Sequence, residues 1–144
     1  MKPGLCLRSS PKWKSSLLSS APISLRVLDG LFAVCRLDPT EPVPENLPLA
    51  SLLSITHTPR ELSIVCRESR GLPGTIESGW RCLVVDGTLA FDQVGILASL
   101  AQPLAEAGVS IFVLSTYDTD YLMVKEELLE TSLEALQAAG HTIL

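Results

Sequence analysis

WRCLVVDGTLAFDQVGILASLAQPLAEAGVSIFVLSTYDTDYLMV, residues Trp80 to Val124, decides how this chain folds. Trp80–Val85 is a run of β-forming apolar residues, and Asp86-Gly87 turns the chain out of it. Asp92 stands where a helix N-cap would, ahead of a first turn Gln93-Val94-Gly95-Ile96. Leu97, Leu100, Ala101 and Leu104 then recur at helical spacing until Gly108 stops the helix. Pro103, inside that helix, deletes one backbone hydrogen bond and kinks or staggers the last turn. Strands follow over Val109–Ser115 and Asp120–Val124, joined by a short polar loop.

Working outward, a second helix begins near Glu126 and carries Leu129, Leu133 and Leu136 on one stripe. It stops at Gly140, and HTIL (141–144) closes as a strand. The order is βαββαβ, the ferredoxin-like arrangement. Upstream, the pattern repeats. VLDGLFAV (27–34) lines up with VVDGTLAF (84–91) at an offset of 57. SITHTPRELSIVCRE (54–68) lines up with the later hairpin at 58, with Thr58 on Thr116, Cys66 on Val124, Arg67 on Lys125 and Glu68 on Glu126. Two blocks at a nearly constant offset indicate a duplicated unit. EPVPENLPLASLL (41–53) takes the place of the first copy's first helix, and its prolines allow only a short one. SRGLPGTIESG (69–79) joins the copies and is dense in turn formers.

The predicted organisation is a disordered or loosely packed basic tail (1–22), a divergent first unit (23–70), a linker (71–79) and a complete second unit (80–144). The tail is Ser-rich and free of acids, as transit peptides are, but Pro11 and scarce Arg spoil the amphipathic helix such a peptide wants. The fold class is α+β, with tandem ferredoxin-like units whose antiparallel sheets carry helices on one face.

Charge is unevenly placed. Residues 1–28 hold five basic groups and no acid, while residues 29–144 hold six basic groups and all sixteen acids, a net of −10. A body this acidic repels phosphate backbones, which argues against a nucleic-acid partner. No apolar run reaches the roughly 18 residues of a membrane helix. Cys6, Cys35, Cys66 and Cys82 form no CxxC pair, and three lie inside apolar runs, so a reducing, cytoplasmic setting fits. His57 and His141 lie in neither zinc-finger nor protease spacing and read as solvated loop residues. No Ser/His/Asp set, nucleophile elbow, P-loop or dinucleotide fingerprint is present, so neither catalysis nor a cofactor is expected.

Ligand binding is better supported by the residues. A helix start near Asp92 offers free backbone N–H groups suited to a carboxylate, and Gly95 lets a ligand approach the backbone closely. Asp118 and Asp120 can receive an ammonium. The plain alternative is an ordinary N-cap, a packing glycine and a solvated turn.

At these residues the chain resembles the ACT domain, an amino-acid-binding regulatory module, in the branch typified by the CASTOR cytosolic arginine sensors. The resemblance rests on Phe91-Asp92-Gln93-Val94-Gly95-Ile96, on Leu114-Ser115-Thr116-Tyr117-Asp118-Thr119-Asp120, and on the helix around Pro103. It implies a ligand held by the backbone of Phe91, Asp92, Val94, Gly95 and Ile96, by Ser115, Thr116, Tyr117 and Asp118, and by the carboxylate of Asp120. It further implies a free amino acid, arginine among the candidates, as ligand. The four-unit sensors hold arginine between units, so a two-unit chain would complete such a site as a homodimer. The rival expectation is a dimerising interaction module that binds no metabolite.

Overall fold

The computed structural model describes residues 21–90 and 92–144. Apart from its last two residues, the expected tail lies outside them, and so does Phe91. Among the described residues, eight strands form one mixed sheet, and two α-helices and a short 3-10 turn (Glu126–Leu128) accompany it. In chain order the strands and α-helices are β1 (Ser24–Val27), β2 (Phe32–Leu37), β3 (Ser54–Thr58), β4 (Glu61–Arg67), β5 (Thr75–Val85), α1 (Ile96–Glu106), β6 (Phe112–Ser115), β7 (Asp120–Lys125), α2 (Leu129–Ala138) and β8 (Thr142–Ile143).

β5 is the hinge of the architecture. Its first half pairs with β2, and β2 continues outward through β4 to β3. Its second half pairs with β7 on one side and β1 on the other, and β6 and β8 lie beyond them. The pairing with β2 shifts register between Phe32, opposite Trp80, and Val34, opposite Glu77, so β5 carries one extra residue there. Gly79 sits in that bulge at φ 78°, a left-handed value that costs a glycine little. The sheet bends at this point, between its two halves. The expected linker 71–79 therefore carries paired strand from Thr75 onward.

Each half keeps the ferredoxin-like strand order. In the first half the order is β3-β4-β2-β5; in the second it is β6-β7-β5, then β1, then β8. β1 thus sits inside the second half, antiparallel to β5 and parallel to β8. This corrects the alignment of VLDG (27–30) with VVDG (84–87). The two segments are not equivalent elements of two units but neighbouring strands of one, with Val27 opposite Leu83. The other repeat is structural. His57 pairs with Leu62 as Ser115 pairs with Asp120, which is an offset of 58 on both strands.

The helices confine themselves to the second half. Leu25, Leu83, Val85, Leu122 and Val124 form the sheet side of a core closed by Leu100 and Leu104 of α1 and Leu136 of α2. In the first half, residues 38–53 form no helix, against expectation. Pro39, Pro42, Pro44 and Pro48 remove backbone donors at short intervals, and the segment lies over the sheet as an irregular strap. Its Leu47 and Leu53, with Leu72, cover Ala33, Cys35, Leu62, Ile64 and Cys66. The opposite sheet face carries a third cluster around Phe32, Val65, Cys82 and Met123.

Both helices stop where the sequence places their ends. Val109 N–H bonds back to Leu104 O at 2.9 Å after Gly108, and His141 N–H to Leu136 O at 3.0 Å after Gly140. His141 is no solvated loop residue: it is 7% exposed. Pro103 has no N–H to give the Ser99 carbonyl one turn back, and His141 Nε2 reaches that carbonyl instead at 3.1 Å. Its Nδ1 accepts the Ile23 N–H at 3.2 Å, which fixes Nε2 as the protonated nitrogen. The hydrogen bond deleted by Pro103 is thus replaced from the far end of the chain, and the start of β1 is anchored by the same ring.

Candidate functional site

β6 and β7 meet with Ser115 opposite Asp120. Ser115 Oγ donates to Asp120 Oδ1 at 2.6 Å, a short charge-assisted bond that fixes the carboxylate. The four residues between them close on themselves. Thr116 N–H donates to Thr119 O at 2.9 Å, and Thr119 N–H returns to Thr116 Oγ1 at 3.3 Å. Tyr117 (80% exposed) and Asp118 form the tip.

Two bonds tie this loop to the segment leaving β5. Thr119 is buried, and its hydroxyl donates to Val85 O at 2.8 Å. Leu89 N–H donates to Asp118 O at 2.7 Å. Asp118 therefore serves the loop through its backbone, and Asp120 presents its side chain.

The facing wall is the start of α1, and it differs from expectation. Gly95 stands before the helix at φ 83°, so helical geometry begins only at Ile96. The first intrahelical bond runs from Ser99 N–H to Gly95 O at 2.9 Å. The amides of Ile96, Leu97 and Ala98 consequently have no carbonyl within the helix to bond. Asp92 is not the cap: no side chain caps this helix, and Asp92 sits exposed in the turn before Gly95. The local closure is made by Gln93, whose Oε1 accepts Ala90 N–H at 3.0 Å while its own N–H donates to Ala90 O at 3.1 Å.

Between these walls lies a cleft of about 450 Å³. Gly95 to Ala98 line one side and residues 115–120 the other, with Leu89, Ala90 and Gln93 between them. Of the sequence-predicted set, Gly95, Ile96, Ser115, Thr116, Tyr117, Asp118 and Asp120 converge here. Asp92 and Val94 do not; Val94 is 86% exposed and borders a neighbouring cavity. Leu89, Ala90, Gln93, Leu97, Ala98 and Thr119 line the cleft as well and were not among the expected contacts. For Thr119 the signal was present as Thr-x-x-Thr, a spacing that lets one hydroxyl close the turn and the other leave it.

The cleft lining carries two carboxylates and no Lys, Arg or His. The free amides at a helix start favour an anion, so the two walls present opposite preferences a few residues apart. Such a pair of walls suits a small zwitterion. Among the described residues no group of three or more metal-ligating side chains occurs, and no helix is long and apolar enough to cross a membrane.

Comparison with known proteins agrees with this architecture. A family model described as ACT domain matches residues 75–138, and an N-terminal-domain model matches 30–73. The cytosolic arginine sensor for mTORC1 subunit 1 of Homo sapiens is 39% identical over 59 residues, which is 40% of this chain and 18% of the sensor. The chain thus matches under a fifth of that relative's length. The crystal structure of a protein from Agrobacterium tumefaciens superposes with a TM-score of 0.80 at 38% identity, covering 87% of this chain and 94% of the other. The regulatory subunit of aspartate kinase from Thermus thermophilus shares the fold at 12% identity, with a TM-score of 0.57 over 78% of this chain and 94% of that one. With its ferredoxin-like strand order and helix-covered second half, the chain carries an ACT domain at residues 75–138 and is a relative of the cytosolic arginine sensors over part of its length.

Proposed function

We propose that this chain is a non-catalytic regulatory module that binds a free amino acid in the cleft between α1 and the β6–β7 loop. The carrying observation is the opposition of three helix-start amides, Ile96 to Ala98, and the Ser115-held carboxylate of Asp120. The ligand carboxylate takes the amides and its ammonium takes Asp120. Asp92 and Val94 contribute only if the segment before Gly95 folds inward on binding. The cleft belongs wholly to one half of the chain, and a second copy would complete its open side, making the working unit a homodimer. Arginine, which the related sensors are named for, is among the candidate ligands. The three buried free thiols of the described residues accord with a reducing, cytoplasmic setting.

Thermal-shift screening of the full chain against the twenty amino acids tests the reading, because a ligand that binds only the native state raises its stability. At least one amino acid should raise the melting temperature in a dose-dependent way. If none does while the chain still dimerises, the interaction-module reading replaces this one.

A further inference from the structure

A second cavity of about 460 Å³ lies against the cleft. Leu89, Gln93 and Ile96 line both, so these three residues form the partition between the two spaces. On its far side the second cavity is bounded by the segment leading into β1, including Ala21, Ile23 and Ser24, and by Val85 and Asp86. Five aliphatic side chains, Ile23, Val85, Leu89, Val94 and Ile96, border it beside the polar Ser24, Asp86 and Gln93. The one carboxylate there, Asp86, is already held by Arg26 at 2.9 Å. An exposed pair of that kind leaves no strong unpaired charge to recruit a cation.

We propose that the two spaces form one two-chambered binding site, and that the second chamber receives the side chain of an amino acid with a long aliphatic stem. The proposal rests on the amino-acid reading of the cleft. Ile96 places both functions side by side: its amide belongs to the carboxylate-binding helix start, and the residue also borders the second chamber. A ligand anchored by its carboxylate at Ile96 to Ala98 has its side chain within one residue of the dividing wall. Each space falls in the range of ligand sites, roughly 300–1,000 Å³, and an apolar chamber beside a polar anchor is the usual division of labour in such sites. Gln93 is the movable part of the wall, since its only recorded side-chain bond is to the Ala90 N–H in its own turn.

The experiment is calorimetric titration of the full chain with L-alanine, L-2-aminobutyrate, L-norvaline and L-norleucine, with L-lysine as the charged comparison. Affinity should rise roughly fourfold per added methylene, as for burial of each CH₂ in an apolar chamber. Alanine and norleucine would then differ by roughly sixtyfold, and norleucine would bind tighter than lysine. Ser24→Trp and, separately, Ala21→Trp fill the chamber from its far side without touching the cleft. In both, alanine affinity should hold while the gradient flattens to under about twofold per methylene. The inference is overturned if wild type binds alanine and norleucine alike, or if the gradient survives both fillers. Tighter binding of lysine than norleucine also overturns it, making the chamber a cation site. In those cases the amino-acid reading still stands. If no amino acid binds at all, both readings fail together.

Discussion

Asp120 and Leu62 occupy the same place in two hairpins of like register, yet one binds a hydroxyl and the other fills a core. Leu62 is 1% exposed and needs no partner; Asp120 is half-buried and held by Ser115. An ammonium on Asp120 should contribute about 1.5–3 kcal/mol. Asp120→Ala is therefore expected to weaken amino-acid binding by roughly tenfold or more. Asp118→Ala should cost less, because its carbonyl makes the structural bond and its side chain stands at the solvated tip. Calorimetry on both variants, with melting temperatures to show that they fold, checks the ranking. The cysteines give a pH prediction. Burial pushes the Cys82 thiol from 9.0 up to about 12, and burial together with its neighbour Cys35 pushes Cys66 up to about 11. The folded state keeps these protons longer than the unfolded chain does, so the stability they carry is full below about pH 9 and declines as pH rises toward 12. Urea unfolding under reductant at several pH values from 8 to 11 should show that decline, and Cys82→Ala should flatten part of it. Apolar flanks were enough to place Cys35, Cys66 and Cys82 in the core. Nothing near His141 in sequence marked it as buried, because the groups it serves, Ser99 and Ile23, are 42 and 118 residues away.

α1 shows what an element's own sequence reveals and what it hides. Leu100 and Leu104 of the expected stripe and the stop at Gly108 were legible, because a helix writes its period and its end locally, whereas Leu97 is exposed at the cleft. Its start lies three residues later than the sequence suggests. Asp92 is a good cap in isolation, but the left-handed Gly95 interrupts the chain after it, and backbone sign at a glycine leaves no trace in composition. The first half's missing helix was half legible: four prolines between 39 and 48 announced a short helix and in fact allow none. Pro103 and His141 form one device, since the ring supplies the donor that the proline lacks. His141→Ala should destabilise by about 2–4 kcal/mol, leaving the Ser99 carbonyl and the Ile23 N–H unpaired. Pro103→Ala restores a backbone N–H one turn from Ser99 and should recover part of that loss. A double-mutant cycle by chemical denaturation should give a coupling of at least about 0.5 kcal/mol; additive losses would mean that the two residues act apart.

Across the whole molecule, the described residues leave β3, β6 and β8 as edge strands of the sheet. β3 is Ser-Ile-Thr-His-Thr, with no Lys, Pro or acid to discourage pairing, and Ile55 on it is 43% exposed. Sedimentation at micromolar concentration should show a dimer, and Ile55→Lys should shift the equilibrium toward monomer if β3 is the seam. A monomer in wild type would leave the open side of the cleft uncovered. The duplicated hairpins were readable because pairing geometry preserves a constant offset; the insertion of β1 was not, because strand neighbours in space need share no pattern in sequence. That insertion bears on the timing of folding. Ser24 and Leu25 must meet Thr142 and Ile143 before the second sheet half is continuous. On the ribosome, the earliest strand therefore waits for the latest, and the sheet cannot close until residue 143 has cleared the exit tunnel. The first half, built from β2, β3, β4 and the beginning of β5, has no such delay and is free to form while the rest is being made. A fragment of residues 75–144, although it contains the matched ACT segment, should remain largely unfolded by circular dichroism, with β8 cut off from β5 by the gap that β1 fills.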